Sequence, residues 1–321
     1  MRLLNAEEVT GLLPMDEAIR LLSQAFPIIS AGQFSQAHRQ QVALSEGTGL
    51  MMGAAAHGVG FGCKVVSVVP GNAARGLAGV TGLVLLMDEV TGEPLALLEG
   101  AQLTALRTAA LNGCAMDLLA REDARVGLLV GCGTQATAQA EAMTAVRDLR
   151  ELRVLGREPS RTAAFVARLQ KRLSLDVHAV SDAGQALEDV DLVTAATNSL
   201  TPVLPGERVP DGCHVSGIGS FRPDMQELDR ALIERADIFV ESRESAMAEA
   251  GELIAAAAKG VSRPQDWNEL GEVMTGARSG RQDAQQVTFF KSVGHAVFDL
   301  VIARALLDRA ELEGVGSSWQ P

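Results

Sequence analysis

The stretch Val126-Gly127-Leu128-Leu129-Val130-Gly131-Cys132-Gly133-Thr134-Gln135-Ala136 decides how this chain is read. Val126 to Val130 is apolar apart from Gly127 and runs into Gly-x-Gly-x-x-Ala. Thr137-Ala138-Gln139-Ala140-Glu141-Ala142-Met143 then continues as a good helix former. Strand, tight glycine turn and helix is the geometry that sets a pyrophosphate on backbone N–H groups at a helix N-terminus. Gly131 allows the turn, Gly133 lets phosphates approach the backbone, and Ala136 is small enough for helix and strand to pack closely. The glycine pattern alone also marks ordinary tight turns. With a strand before it and a helix after it, it reads as a dinucleotide site.

Downstream, strand and helix patterns alternate, with strands near 126–130, 152–156, 176–180, 191–196, 213–218 and 237–241. Such alternation predicts a parallel sheet with helical crossovers, hence an α/β fold. Upstream, residues 38–100 are β-rich, with runs such as Gln41–Leu44, Lys64–Val69 and Thr81–Met87 split by glycine and proline. Asp88–Pro94 reads as a hairpin turn, and a helix follows at about 101–120. Residues 1–30 read as a short strand and a helix, with Asp16 as N-cap and Ala18, Ile19, Leu22 and Phe26 as its apolar stripe. Ser292 to about Glu313 reads as an amphipathic helix, and Ser317–Pro321 as a frayed tail.

The 321 residues, 47% of them hydrophobic, can bury a large core and suggest two domains. A net charge of −12 disfavours nucleic acid and anionic membrane as partners. Cys63, Cys114, Cys132 and Cys213 are far apart and form no Cys-x-x-Cys, so no metal site or disulfide framework is expected, and reduced thiols in the cytoplasm fit best. Met1-Arg2-Leu3-Leu4-Asn5-Ala6-Glu7-Glu8 reaches acids too soon for a signal peptide. No run approaches the roughly 18 apolar residues of a membrane helix.

An NAD site normally carries an acid at the end of the second strand, bonding the ribose 2′-hydroxyl. Here Leu152-Arg153-Val154-Leu155 leads into Gly156-Arg157-Glu158-Pro159-Ser160-Arg161. Arg157 sits at the tip, with Ser160 and Arg161 close behind, a set suited to a 2′-phosphate. NADP(H) is therefore expected over NAD(H). The competing reading makes Arg157 a solvated loop residue and gives Glu158 the ribose.

Lys64 lies inside the apolar run Gly60–Val69, which is costly unless it has a partner, opens to a cavity, or snorkels from an edge strand. Arg107 falls among Leu103, Thr104, Ala110 and Leu111, on the apolar stripe of its helix. A buried arginine needs an anion, either an internal carboxylate or the carboxylate of a substrate. Arg39 shows no such pattern and is a surface residue by default. His57 and His295 are possible general acids. Asp299, four residues after His295, could orient its ring or form a helix or interface salt bridge. Cys132, within the glycine turn, reads as a tolerated spacer.

These residues and their order resemble the ornithine cyclodeaminase/μ-crystallin family over nearly the whole chain. The likeness rests on Lys64-Val65-Val66-Ser67-Val68, Leu103-Thr104-Ala105-Leu106-Arg107-Thr108-Ala109-Ala110, the glycine turn and Ala195-Ala196-Thr197-Asn198. It continues in the run from Gly217-Ile218-Gly219-Ser220-Phe221 through Asp224 and Glu227 to Asp229, and closes with Phe290-Lys291-Ser292-Val293-Gly294-His295-Ala296-Val297-Phe298-Asp299. The resemblance implies a homodimer. It implies a substrate and dimerisation domain of mixed α+β type, 1–120 plus 292–321, with a Rossmann domain, 121–291, inserted and the active site in the cleft. It implies hydride transfer between a nicotinamide and the α-carbon of an amino acid or its imine. Arg39, Lys64, Arg107 and Val293 match substrate-binding positions, with Lys64 and Arg107 catalytic. Gly131, Gly133, Thr134, Gln135, Thr197, Gly217, Ile218, Gly219 and Ser292 match dinucleotide contacts.

Members that deaminate ornithine carry two acids that this chain replaces with Gly49 and Phe221. The Ser220–Asp229 run looks instead like the μ-crystallin, ketimine-reductase branch, which uses NADPH. The expected activity is reduction of Δ1-pyrroline-2-carboxylate or Δ1-piperideine-2-carboxylate to the L-imino acid. Lys64 would act as the acid, its pKa lowered by Arg107. A shifted matching of the same run would put Asp224 in the missing acid's place. An ornithine cyclodeaminase, an alanine dehydrogenase-like enzyme and a non-catalytic NADPH-binding protein remain as alternatives.

Overall fold

In the computed structural model, which describes residues 1–320, the chain opens with β1 (Arg2–Leu4), α1 (Ala6–Leu12), α2 (Met15–Ser30), β2 (Phe34–Gln36), β3 (Gln40–Leu44) and β4 (Gly47–Ala56). There follow β5 (Gly60–Val68), β6 (Val80–Met87), β7 (Pro94–Glu99) and α3 (Gly100–Leu119). Next come β8 (Val126–Val130), α4 (Ala136–Val146), β9 (Glu151–Leu155), α5 (Pro159–Leu169), β10 (Asp176–Val180), α6 (Ala183–Ala186) and β11 (Leu192–Ala195). Then β12 (His214–Gly217), α7 (Arg230–Arg235), β13 (Asp237–Val240), α8 (Arg243–Glu249), α9 (Gly251–Ala258), β14 (Asn268–Glu269) and α10 (Leu270–Met274). The chain closes with β15 (Thr288–Lys291), α11 (Ala296–Glu313) and β16 (Ser317–Ser318). Contacts divide it into two units, Met1–Arg107 with His295 onward, and Thr108–Gly294, so the first division falls inside α3.

The first unit is built on a mixed sheet of order β16-β1-β7-β6-β5-β4-β2, with β3 also on β4. β4, β5, β6 and β7 are antiparallel neighbours, and β6 and β7 form the expected hairpin. Asp88 shapes its turn by accepting from the N–H groups of Val90 at 2.9 Å and Thr91 at 2.8 Å. Alternation along β5 sends Lys64 and Val66 to the covered face and Phe61 and Val65 to the other. The covered face packs on α11, whose Phe298 lies 5.1 Å, centroid to centroid, from Phe26 of α2. The apolar stripe of α2 is buried as its spacing predicts.

Three expectations in this unit are corrected. The stretch before α2 holds a further short helix, α1, started by a reciprocal cap between Asn5 and Glu8. Pro14, not Asp16, precedes the first residue of α2, and Asp16 lies in its first turn, where a carboxylate suits the helix dipole. The tail is not frayed: Gly314, at φ +69°, ends α11 and turns the chain back, β16 pairs with β1, and Trp319 N donates to Met1 O at 3.0 Å. Pro321 lies outside the described residues.

The second unit is a Rossmann-type α/β layer. Its sheet runs β10-β9-β8-β11-β12-β15-β13-β14, with every neighbouring pair parallel. β8 is buried along its whole length, as a strand covered on both faces must be. β15, a strand the sequence pattern does not predict, fills the place between β12 and β13, and the last helix starts at Ala296 rather than Ser292. The order reverses at β8 and β11, and such a switch point is where open α/β sheets bind ligands, beyond the carboxyl ends of the strands.

Candidate active site

Lys64 projects from β5, an interior strand, and is 2% exposed. Its Nζ lies 2.9 Å from Asp299 Oδ1 and 2.8 Å from Oδ2. Arg107, from α3, donates through Nε to Asp299 Oδ1 at 2.8 Å. Asp299 sits in the first turn of α11, where the helix dipole favours its charge. The internal carboxylate is thus the partner of both cations. It does not saturate them: Arg107 Nη1 is buried with no hydrogen-bond partner among the described residues. Arg39, half-buried between β2 and β3, adds positive charge close to Lys64.

Burial, then the neighbouring Arg107, lowers the Lys64 pKa from 10.5 to about 8, while Asp299 holds it up. Burial also pushes the Asp299 carboxyl up, but Arg107 and Lys64 outweigh it and keep that carboxyl below the usual range. The cluster of Lys64, Arg107 and Asp299 therefore carries an excess positive charge in a buried place. It can accept one more carboxylate at Arg107 Nη1 and offer a proton near neutral pH.

The other candidates near this cluster separate clearly. His295 is buried, edge-on to Phe34 and Phe298 at 5.2 and 5.8 Å, while the carboxylate of Asp299, four residues on, is engaged by Lys64 and Arg107. His57 is a surface residue, its side chain 82% exposed and 3.6 Å from Glu89. Asp224 is exposed and paired with Arg222 at 2.9 Å.

In the second unit the glycine turn has the expected form. Gly131 takes φ +108°, and a Cβ there would stand 2.6 Å from Ala196 O. A Cβ at Gly133 would meet nothing within 4 Å, so the backbone is open to a phosphate. Thr134 and Gln135 follow, and α4 begins at the buried Ala136, whose N–H donates to Gly133 O at 3.1 Å, with no side-chain cap on the N–H groups that come after it. This arrangement fits a dinucleotide pyrophosphate. Cys132 is a spacer: burial pushes its thiol up, and Sγ lies 3.8 Å from Thr162 Oγ1.

Arg157, Ser160 and Arg161 are exposed in the segment after β9. Glu158 is exposed in the same segment. It caps α5, accepting from Ser160 N at 3.0 Å, Ser160 Oγ at 2.8 Å and Arg161 N at 2.8 Å. Thr197 follows β11, Gly217 ends β12 with Ile218 and Gly219 after it, and Ser292 and Val293 follow β15, all at carboxyl ends of strands. Buried acids absent from the sequence reading hold these loops. Glu227 accepts from Thr197 N and Gly219 N, each at 2.6 Å, and Glu241 accepts from Ser292 Oγ at 3.1 Å and Val293 N at 2.9 Å. Each stands next to apolar residues in sequence, Glu227 before Leu228 and Glu241 after Ile238-Phe239-Val240, which is the signal that could have marked it.

Comparison with known proteins identifies the family. The ornithine cyclodeaminase/mu-crystallin family profile matches residues 1–314. A Δ1-pyrroline-2-carboxylate reductase of Bacillus cereus is 38% identical over 321 residues, covering 98% of each chain. The structure of Thermococcus litoralis Δ1-pyrroline-2-carboxylate reductase in complex with NADH and L-proline superposes with a TM-score of 0.96 at 32% identity, over 99% of this chain and 100% of that one. An archaeal alanine dehydrogenase dimer with bound NAD gives a TM-score of 0.93 at 32% identity, over 100% of this chain and 99% of that one. The chain belongs to the ornithine cyclodeaminase/mu-crystallin family.

Proposed function

We propose that this protein reduces a cyclic ketimine, Δ1-pyrroline-2-carboxylate or Δ1-piperideine-2-carboxylate, to the corresponding L-imino acid with a reduced nicotinamide dinucleotide. The observation that carries the reading is the buried Lys64–Asp299–Arg107 cluster, with its excess positive charge and a guanidinium nitrogen, Arg107 Nη1, that has no hydrogen-bond partner among the described residues. A substrate carboxylate docks on Arg107, and Arg39 adds positive charge close to Lys64. Lys64 gives a hydrogen bond or a proton to the imine nitrogen, which makes the ring carbon electron-poor. Asp299 holds both cations in place. The bound nicotinamide supplies the hydride that this carbon accepts, so the C=N bond gains a hydride at carbon and a proton at nitrogen. Gly49 and Phe221 offer no carboxylate to a second ammonium, which favours a cyclic imine over ornithine.

Gly131, Gly133, Thr134 and Gln135 hold the pyrophosphate in this reading, and Thr197, Gly217, Ile218, Gly219 and Ser292 line the nicotinamide side, with Val293 beside the substrate. NADPH is preferred to NADH, because both Glu158 oxygens serve the cap of α5 while Arg157 and Arg161 remain exposed around the strand tip. The protein acts as a homodimer through the outer face of the first sheet. Strand register lines up Met51, Val65 and Leu83 there, with Phe61 on the same face and Val42 and Leu44 beside it, and Val65 and Leu83 are 46% and 51% exposed. Free cysteines suit a reducing compartment such as the cytoplasm.

The test follows oxidation of NADPH and NADH with both cyclic imines and with pyruvate plus ammonia, alongside proline formation from ornithine. The cyclic imines with NADPH should turn over fastest. Higher efficiency with pyruvate and ammonia would make the protein an alanine dehydrogenase, proline from ornithine would make it a cyclodeaminase, and dinucleotide binding without turnover would make it a binding protein. Light scattering should give a dimer that Val65→Asp dissociates.

A further inference from the structure

Glu227 is fully buried, yet it lies in a run whose sequence drew attention to Asp224 instead. Its two oxygens collect three backbone donors: Thr197 N at 2.6 Å on Oε1, and Gly219 N at 2.6 Å and Ser220 N at 3.1 Å on Oε2. Thr197 follows β11, while Gly219 and Ser220 follow β12. A Cβ on Gly219 would stand 1.9 Å from Thr197 O, so the two loops are in backbone contact and Glu227 joins them. The second loop is held from below as well. Lys291 Nζ reaches Gly217 O at 3.1 Å and Ser220 Oγ at 2.6 Å, and Ser220 Oγ donates to Glu252 Oε2 at 2.6 Å.

The position of these loops gives the network its meaning. In a sheet whose order reverses between β8 and β11, a dinucleotide lies across the switch point, one mononucleotide half on each side. The glycine turn after β8 and the Arg157 segment after β9 serve the adenosine half. The loops after β11 and β12 face the other half, which bears the nicotinamide. Resting on the dinucleotide reading of this unit, we infer that Glu227, backed by Ser220 and Lys291, is the positioning residue that sets the nicotinamide half of the cofactor. A carboxylate is required because donors converge on both of its oxygens. A glutamine would turn its own NH2 group toward a backbone N–H.

The test compares whole dinucleotide with adenosine fragments. Dissociation constants for NADPH, NADH, 2′,5′-ADP and ADP are measured by calorimetry on the unaltered protein and on Glu227→Gln, with kcat and KM for the cyclic imine. Glu227→Gln should bind whole dinucleotide roughly tenfold more weakly or worse, since bonds to a charged acceptor are lost, and should lower kcat. Its affinity for the fragments should match that of the unaltered protein. Unchanged dinucleotide affinity overturns the inference, and so does a loss shared equally by fragments, which a purely structural role would produce. If Glu227→Gln does not fold, Ser220→Ala decides by the same comparison, with a smaller loss expected for whole dinucleotide. Failure of the unaltered protein to bind any dinucleotide would instead remove the reading on which the inference rests.

Discussion

Each unit buries an ion cluster, and the two differ in what they leave over. In the first, Lys64 and Arg107 share one carboxylate, and a guanidinium nitrogen remains without a hydrogen bond among the described residues. In the second, Lys291 lies 3.2 Å from Glu252, Ser220 bridges them, and Glu227 receives backbone N–H groups. In the second cluster the atom left without a hydrogen bond is an acceptor, Glu252 Oε1, and the Lys291 ammonium at 3.2 Å meets its charge, so the cluster acts as scaffold. The first is short of one anion, and burying a charge without a partner is costly. A fold keeps such a place where a ligand completes it.

Breaking the two clusters in parallel should separate these roles. Asp299→Asn and Glu252→Gln each remove one partner of a buried pair and should each lower stability by about 3–5 kcal/mol, read from denaturant unfolding. Only Asp299→Asn should also move the pH profile. Reductase kcat/KM should fall as pH rises through about 8, because Lys64 must carry its proton. Asp299 raises that pKa, so its loss moves the fall to lower pH. A profile unchanged in Asp299→Asn would detach Lys64 from proton transfer.

Next in size is Arg107→Leu, expected to lower kcat/KM by roughly a thousandfold while NADPH affinity stays near normal. Arg107→Lys should recover little, since an ammonium lacks the planar fork. Lys64→Met should lower kcat/KM by roughly a hundredfold at neutral pH and abolish the fall near pH 8. The smallest effect belongs to the exposed strand tip of the second unit. Arg157→Ala should weaken NADPH binding roughly tenfold and leave NADH unchanged. Equal losses for both cofactors would return Arg157 to the solvated loop.

The same contrast explains what was legible in the amino-acid sequence. Local chemistry reads well: the strand, turn and helix of Val126–Ala136 declare themselves, as do the strands that alternate with helices after them. Lys64 and Arg107 stood out because a charge in an apolar run needs a reason. Their shared partner did not, because Asp299 lies 235 residues from Lys64 and 192 from Arg107, and helical spacing pointed it at His295 instead. The buried carboxylate of the Gly217–Asp229 run was missed for a like reason. Asp224 and Glu227 look alike as letters, and only the fold shows one against Arg222 at the surface and the other under two loops. β15 escaped because a four-residue buried strand carries no period of its own, and the tail pairs only because Gly314 returns it to β1.

The central claim is that the spare positive charge of the first cluster grips a substrate carboxylate. It is tested most directly by comparing NADPH-dependent reduction of Δ1-pyrroline-2-carboxylate with that of Δ1-pyrroline, which lacks the carboxylate, in the unaltered protein and in Arg107→Leu. The unaltered protein should favour the carboxylate by roughly a thousandfold in kcat/KM, and Arg107→Leu should treat the two imines nearly alike. An Arg107→Leu variant that keeps the full preference would contradict the account.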